Sequence, residues 1–202
     1  MMEKLIARVI QVVFHPLLVP VIGVIILFRT NLYIAFISGQ MRQLIVLLTF
    51  LATCLVPLFF VFTLRLFTKL FQNQGRYPEI SIILLFTALC YYIGYYYISM
   101  LTLAGFYKAG FLAGTLVLIS LSLISLRWNI SSYMAGSGAM AGLSIAIMLR
   151  LGIYDPIFLS AVLLAGGLAG FSQLSLEKNT PAQVYTGYLL GLGILFSIFS
   201  NI

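Results

Sequence analysis

Polar residues are so scarce in this chain that the few places where they gather decide its architecture. One such place is Ser172-Gln173-Leu174-Ser175-Leu176-Glu177-Lys178-Asn179-Thr180-Pro181-Ala182-Gln183, set between the apolar runs 156–171 and 184–202. Of 202 residues, 62% are hydrophobic and 7% charged, against roughly 25% charged in a soluble domain. A chain this apolar cannot cover its surface in water, so its solvent is lipid. In lipid only helices and closed barrels keep their backbone groups paired. The runs are continuous rather than alternating, which excludes a β-barrel. The expected fold is all-α, a single polytopic helical membrane bundle over residues 1–202 with about seven transmembrane helices.

The spans read from the sequence are 5–28, 43–67, 80–104, 109–126, 133–149, 156–171 and 181–202. Pro16 and Pro20 in the first, and Pro57 in the second, predict kinks. A tight turn is expected at 105–108, and the fifth and sixth spans read as short. Trp128 and the tyrosines Tyr91, Tyr92, Tyr95, Tyr96 and Tyr97 suit interface and packing positions. Small residues crowd the last third: Gly136, Gly138 and Gly142, then Gly166, Gly167 and Gly170, then Gly187, Gly191 and Gly193. Small residues let helix backbones approach closely in lipid, so spans five to seven are expected to form the tight part of the bundle.

The formal charge of +7 comes from Lys and Arg at the ends of apolar runs, a pattern of topology and lipid-headgroup contact rather than nucleic-acid binding. Cys54 and Cys90 lie inside apolar runs and read as buried thiols. No Cys/His metal cluster, phosphate-binding glycine loop or carboxylate pair is present, so no metal or cofactor is expected. Glu3, Glu79, Asp155 and Glu177 all fall near span ends, which leaves no intramembrane acid for ion or proton coupling and argues against a coupled transporter. The charged N-terminus precedes a long run without a small-residue cleavage pattern, so no removed signal peptide is expected.

Seven spans put the breaks 68–79, 127–132 and 172–180 on one membrane face. Within them lie Lys69, six residues, then Arg76-Tyr77-Pro78; Ser131-Ser132-Tyr133 entering a helix; and Ser172-Gln173, five residues, Asn179, three residues, Gln183. This order and spacing resemble the type 2 phosphatidic acid phosphatase family, whose motifs are Lys-x6-Arg-Pro, Pro-Ser-Gly-His and Ser-Arg-x5-His-x3-Asp. The resemblance covers about Lys69 to Gly191, a family-like core of roughly residues 65–195. It implies that Lys69, Arg76, Ser131, Ser132 and Ser172 bind phosphate, and that these residues converge with Tyr133 and Asn179 on one pocket. Carried on one helix, Lys69 and Arg76 would share a face and grip one phosphate together.

The family attacks phosphorus with one His, protonates the leaving group with another and orients the nucleophile with an Asp. Here those positions hold Asn179, Tyr133 and Gln183, and the third-motif Arg position holds Gln173. Asparagine cannot accept a phosphoryl group as nucleophile. The resemblance therefore implies a catalytically degenerate membrane protein that binds a lipid or isoprenyl phosphate, or serves as a structural subunit beside membrane partners or further copies of itself. The alternatives are an active lipid phosphatase with rearranged chemistry and a small channel or carrier. His15, the lone histidine, lies about ten residues, or 15 Å along a helix, from the motif face; its plain reading is a neutral ring bonding backbone freed by Pro16 or Pro20. Seven Lys and Arg on the motif face against four opposite place that face in the cytoplasm, whereas the resemblance implies a pocket facing away from it. A bacterial inner membrane is the expected location.

Overall fold

The computed structural model describes residues 3, 7, 8, 10, 11, 17–29, 39–70, 76–100, 105–152 and 154–201; the side chains of 26–29, 64–70, 76–79, 106 and 151 lie outside the description. All regular structure among these residues is helical: α1 (Val19–Arg29), α2 (Gly39–Phe50), a π-helical turn (Leu51–Leu55), α3 (Val56–Leu70), α4 (Arg76–Met100), α5 (Gly105–Ser125), α6 (Ser132–Leu151), α7 (Pro156–Ser175) and α8 (Pro181–Asn201). Six helical segments among them are long and apolar enough to cross a membrane: Gly39–Thr63, Ile80–Met100, Tyr107–Ser125, Ser132–Arg150, Pro156–Ser175 and Pro181–Asn201. They correspond to the second to seventh expected spans, and the protein is an integral helical membrane protein. The first span falls partly outside the described residues, His15 and Pro16 included.

Several helices run past an end read from the sequence: α4 and α5 begin four residues earlier, α6 extends at both ends and α7 runs four residues further. The expected turn at 105–108 is the first turn of α5. The fifth and sixth spans are not short, for α6 and α7 have 20 residues each. Serine is tolerated in a final helical turn when its hydroxyl bonds back to the backbone, as Ser172 Oγ does to the Ala169 carbonyl at 2.7 Å.

The described chain divides into a middle unit, Pro20–Arg127, and a terminal unit, Met1–Val19 with Trp128–Ile202. In the middle unit α4 and α5 form an antiparallel hairpin. Its polar staple is reciprocal: Ser81 Oγ donates to the Ser122 carbonyl at 3.2 Å and Ser122 Oγ to the Ser81 carbonyl at 3.0 Å. Further along, each helix sets an aromatic ring against a glycine of the other. Phe111 Cε1 lies 2.5 Å from where a Cβ at Gly94 would be, and Tyr91 ring carbons lie 2.7 Å from that place at Gly114. The π turn ends two residues before Pro57, which has no N–H to offer the Thr53 carbonyl. The ladder widens there, with the Val56 amide reaching back to the Leu51 carbonyl. Thr49 and Thr53 turn their hydroxyls onto the Ile45 and Thr49 carbonyls at 2.7 and 2.8 Å, and Tyr91 hydrogen-bonds Thr53.

In the terminal unit α6 and α8 are parallel and in backbone contact. The place a Cβ would take at Gly138 is held by the Tyr188 carbonyl oxygen, at Gly142 by that of Leu192, and at Gly191 by that of Ala135. At Gly187 the Ser131 carbonyl oxygen lies 2.7 Å away. Numbering rises together on both helices along this seam, so they run the same way, with α7 as the return. The glycines stand four apart on each helix, the close-packing pattern of lipid-embedded pairs. At the far end Arg150 Nη1 donates to the Phe199 carbonyl at 3.4 Å, a cation on the carbonyls of a helix C-terminus. α7 contributes Ala169, packed with Met134 and Val184. The sequence placed all the glycines of spans five to seven in the tight core. Gly167 and Gly193 instead meet no atom within 4 Å of a built Cβ, and each faces open space on its helix.

Candidate functional site

Three helix ends meet at the polar end of the terminal unit: the N-termini of α6 and α8 and the C-terminus of α7. Ser131, in extended conformation, is the N-cap of α6, and its Oγ accepts from the Met134 amide at 3.4 Å. Its own amide donates to the Gln183 carbonyl at 3.4 Å, which ties the start of α6 to the first turn of α8. Ser132 and Tyr133 form the first helical residues beside it and are half-buried.

α7 stops in a six-residue C-terminal lock. The Lys178 amide reaches the Gln173 carbonyl at 3.2 Å and the Glu177 amide the Leu174 carbonyl at 3.0 Å. Glu177 has φ 52°, the left-handed conformation that glycine takes without strain. Glu177→Gly is expected to stabilise the protein by about 0.5–1 kcal/mol, the relief of that conformation less the added freedom of the unfolded chain. A denaturation midpoint in mixed micelles that falls on this exposed substitution would contradict it.

α8 begins with a capping box. Thr180 Oγ1 accepts from the Gln183 amide at 3.4 Å, and Gln183 Oε1 accepts from the Thr180 amide at 2.9 Å. Pro181 occupies the first helical position, where its missing N–H costs nothing. Between the two helices the side chains of the third motif meet. Asn179 Nδ2 donates to Gln173 Oε1 at 2.9 Å. Gln173 is 1% exposed, and its Nε2 has no hydrogen-bond partner among the described residues. Lys178 Nζ donates to Gln11 Oε1 at 2.9 Å, and Tyr133 also hydrogen-bonds Gln11.

Ser131, Ser132, Tyr133, Ser172, Gln173, Asn179 and Gln183 are therefore together at one end of one unit. Ser131 and Ser172 engage their hydroxyls with backbone. Lys69 and Arg76 belong to the middle unit, and their side chains lie outside the description. They do not share one helix as the spacing suggested: Lys69 is in the last turn of α3 and Arg76 opens α4. Pro78 favours that division, since proline suits a first helical turn.

Gln11, Lys178 and Thr180 were not among the expected site residues. Gln11 carried a signal as a lone amide in an apolar run, and Thr180-x-x-Gln183 is a capping signature. The three-residue interval from Asn179 to Gln183 matches the family spacing, yet Gln183 sits where it does as the cap partner of Thr180.

Chemically this end offers amides, hydroxyls, a phenol, the exposed Glu177 carboxylate and the Lys178 ammonium. No set of three metal-ligating side chains occurs among the described residues. The arrangement donates and accepts hydrogen bonds around a neutral centre, with Lys178 at its exposed margin. Comparison with known proteins finds no matching family model, no curated relative and no matching solved structure.

Proposed function

We propose that this is a non-catalytic, phosphatidic acid phosphatase-like protein of a bacterial inner membrane that holds a lipid phosphate headgroup instead of hydrolysing it. The observation that carries this reading is the hydrogen bond from Asn179 to Gln173. The positions that would supply nucleophile and phosphate clamp hold two neutral amides bonded to each other. Gln183, at the position of the orienting carboxylate, is engaged in the cap of α8. None of these groups attacks phosphorus or passes a proton to a leaving alkoxide at neutral pH. Lys178 keeps two of its three ammonium donors beyond the one given to Gln11, and the N-termini of α6 and α8 add partial positive charge at the same end, against the partial negative charge of the α7 C-terminus and the neighbouring Glu177 carboxylate. Lys69 and Arg76 remain candidate phosphate contacts on the family resemblance.

The purified full-length protein is expected to release no phosphate from phosphatidic acid or undecaprenyl pyrophosphate above the protein-free background, while native mass spectrometry finds anionic lipid retained. Phosphate release that disappears with Arg76→Ala would sink this reading in favour of an active phosphatase.

A further inference from the structure

We infer that Gln173 reads an uncharged oxygen of the bound lipid, an ester carbonyl of a glycerol backbone lying next to the phosphate. The inference rests on the headgroup reading above and names the lipid class. Gln173 Nε2 is a buried donor without an acceptor among the described residues, a state that costs about 1–3 kcal/mol when left unmet. Gln173 Oε1 takes Asn179, and the carbonyls of Ser172, Gln173 and Leu174 take the amides of Leu176, Lys178 and Glu177.

The kind of acceptor follows from charge. A phosphate oxygen at this amide would be a buried anion facing a neutral group, which is far costlier than a buried carbonyl that gains a hydrogen bond. Lys178 is exposed and cationic, and suits the phosphate at the margin. Half-buried Asn179 links the inner amide to the loop surface, and a ligand oxygen enters past it. A glycerophospholipid carries a phosphate and, a few bonds away, an ester carbonyl. An isoprenyl phosphate carries only hydrocarbon there and leaves the donor unmet.

The test uses the full-length protein in detergent with three probes at equal concentration: dioleoyl phosphatidic acid, its di-O-alkyl ether analogue of the same charge, and undecaprenyl phosphate. Native mass spectrometry of the wild type should retain the ester lipid about three- to tenfold over the other two, the worth of one neutral hydrogen bond. Gln173→Met, which keeps the buried volume and removes the donor, should bind all three alike. Equal retention of ester and ether by the wild type, or an ester preference that survives Gln173→Met, overturns the inference and leaves headgroup binding standing. Retention of none of the probes overturns the headgroup reading itself.

Discussion

Gly191→Leu is expected to separate α8 from α6 and unfold the terminal unit. The carbonyl oxygen of Ala135 already holds the place of the first side-chain atom, and the Ala139 amide nitrogen lies 2.9 Å from it. Neither is the end of a flexible side chain that could swing away. Overpacking an ordinary core costs about 1–3 kcal/mol because neighbours rotate aside; here a whole helix must move. Gly138→Leu should act alike through the Tyr188 carbonyl. The comparison is Gly167→Ala and Gly193→Ala, where nothing lies within 4 Å. These should be neutral or stabilise by up to about 1 kcal/mol through helix propensity. Unfolding of all four variants in sodium dodecyl sulfate micelles measures the contrast. If Gly191→Leu unfolds at the wild-type midpoint, the seam between α6 and α8 is not what holds this unit.

The helices themselves were legible because a long apolar run in lipid has one stable outcome. Their ends were less so. Ser172 and Gln173 read as the start of a loop, yet they complete α7, since a hydroxyl or amide within a last turn can be met locally or by a side chain from the next loop. The glycine pattern announced close helix contact but not which face met which helix. Gly138 and Gly142 face α8 while Gly167 faces no atom, a difference of rotation about the axis that residue type does not encode. Lys69 and Arg76 looked like one pair because spacing was counted as though the helix continued. The motif interval ending at Gln183 had two explanations with the same arithmetic, a catalytic remnant and a helix cap. The hydrogen bonds between Thr180 and Gln183 supply the second. Gln11 needed the fold: its contacts with Lys178 and Tyr133 join residues far apart in sequence.

Gln173→Arg is expected to destabilise the protein severely. Position 173 is 1% exposed and its side-chain oxygen accepts from the Asn179 amide, so a guanidinium there is a buried charge facing a neutral neighbour. An unmatched buried charge costs about 3–5 kcal/mol, enough to erase much of the stability of a typical domain. Asn179→Asp alone should also destabilise, though by less than Gln173→Arg, because position 179 is half-buried and its carboxylate stays partly solvated. The double variant Gln173→Arg/Asn179→Asp places opposite charges where a 2.9 Å hydrogen bond now stands, and it should recover at least half of the loss. Unfolding midpoints of the two single variants and the double variant yield the coupling between the positions, expected at about 2 kcal/mol or more for groups in one buried network. Gln173→Arg with wild-type stability would mean that this position is solvated. A double variant no better than Gln173→Arg would mean that the two side chains do not act on one another. With the expected coupling, the amides at 173 and 179 form one neutral unit, and a charge is accommodated at one position only with its opposite at the other.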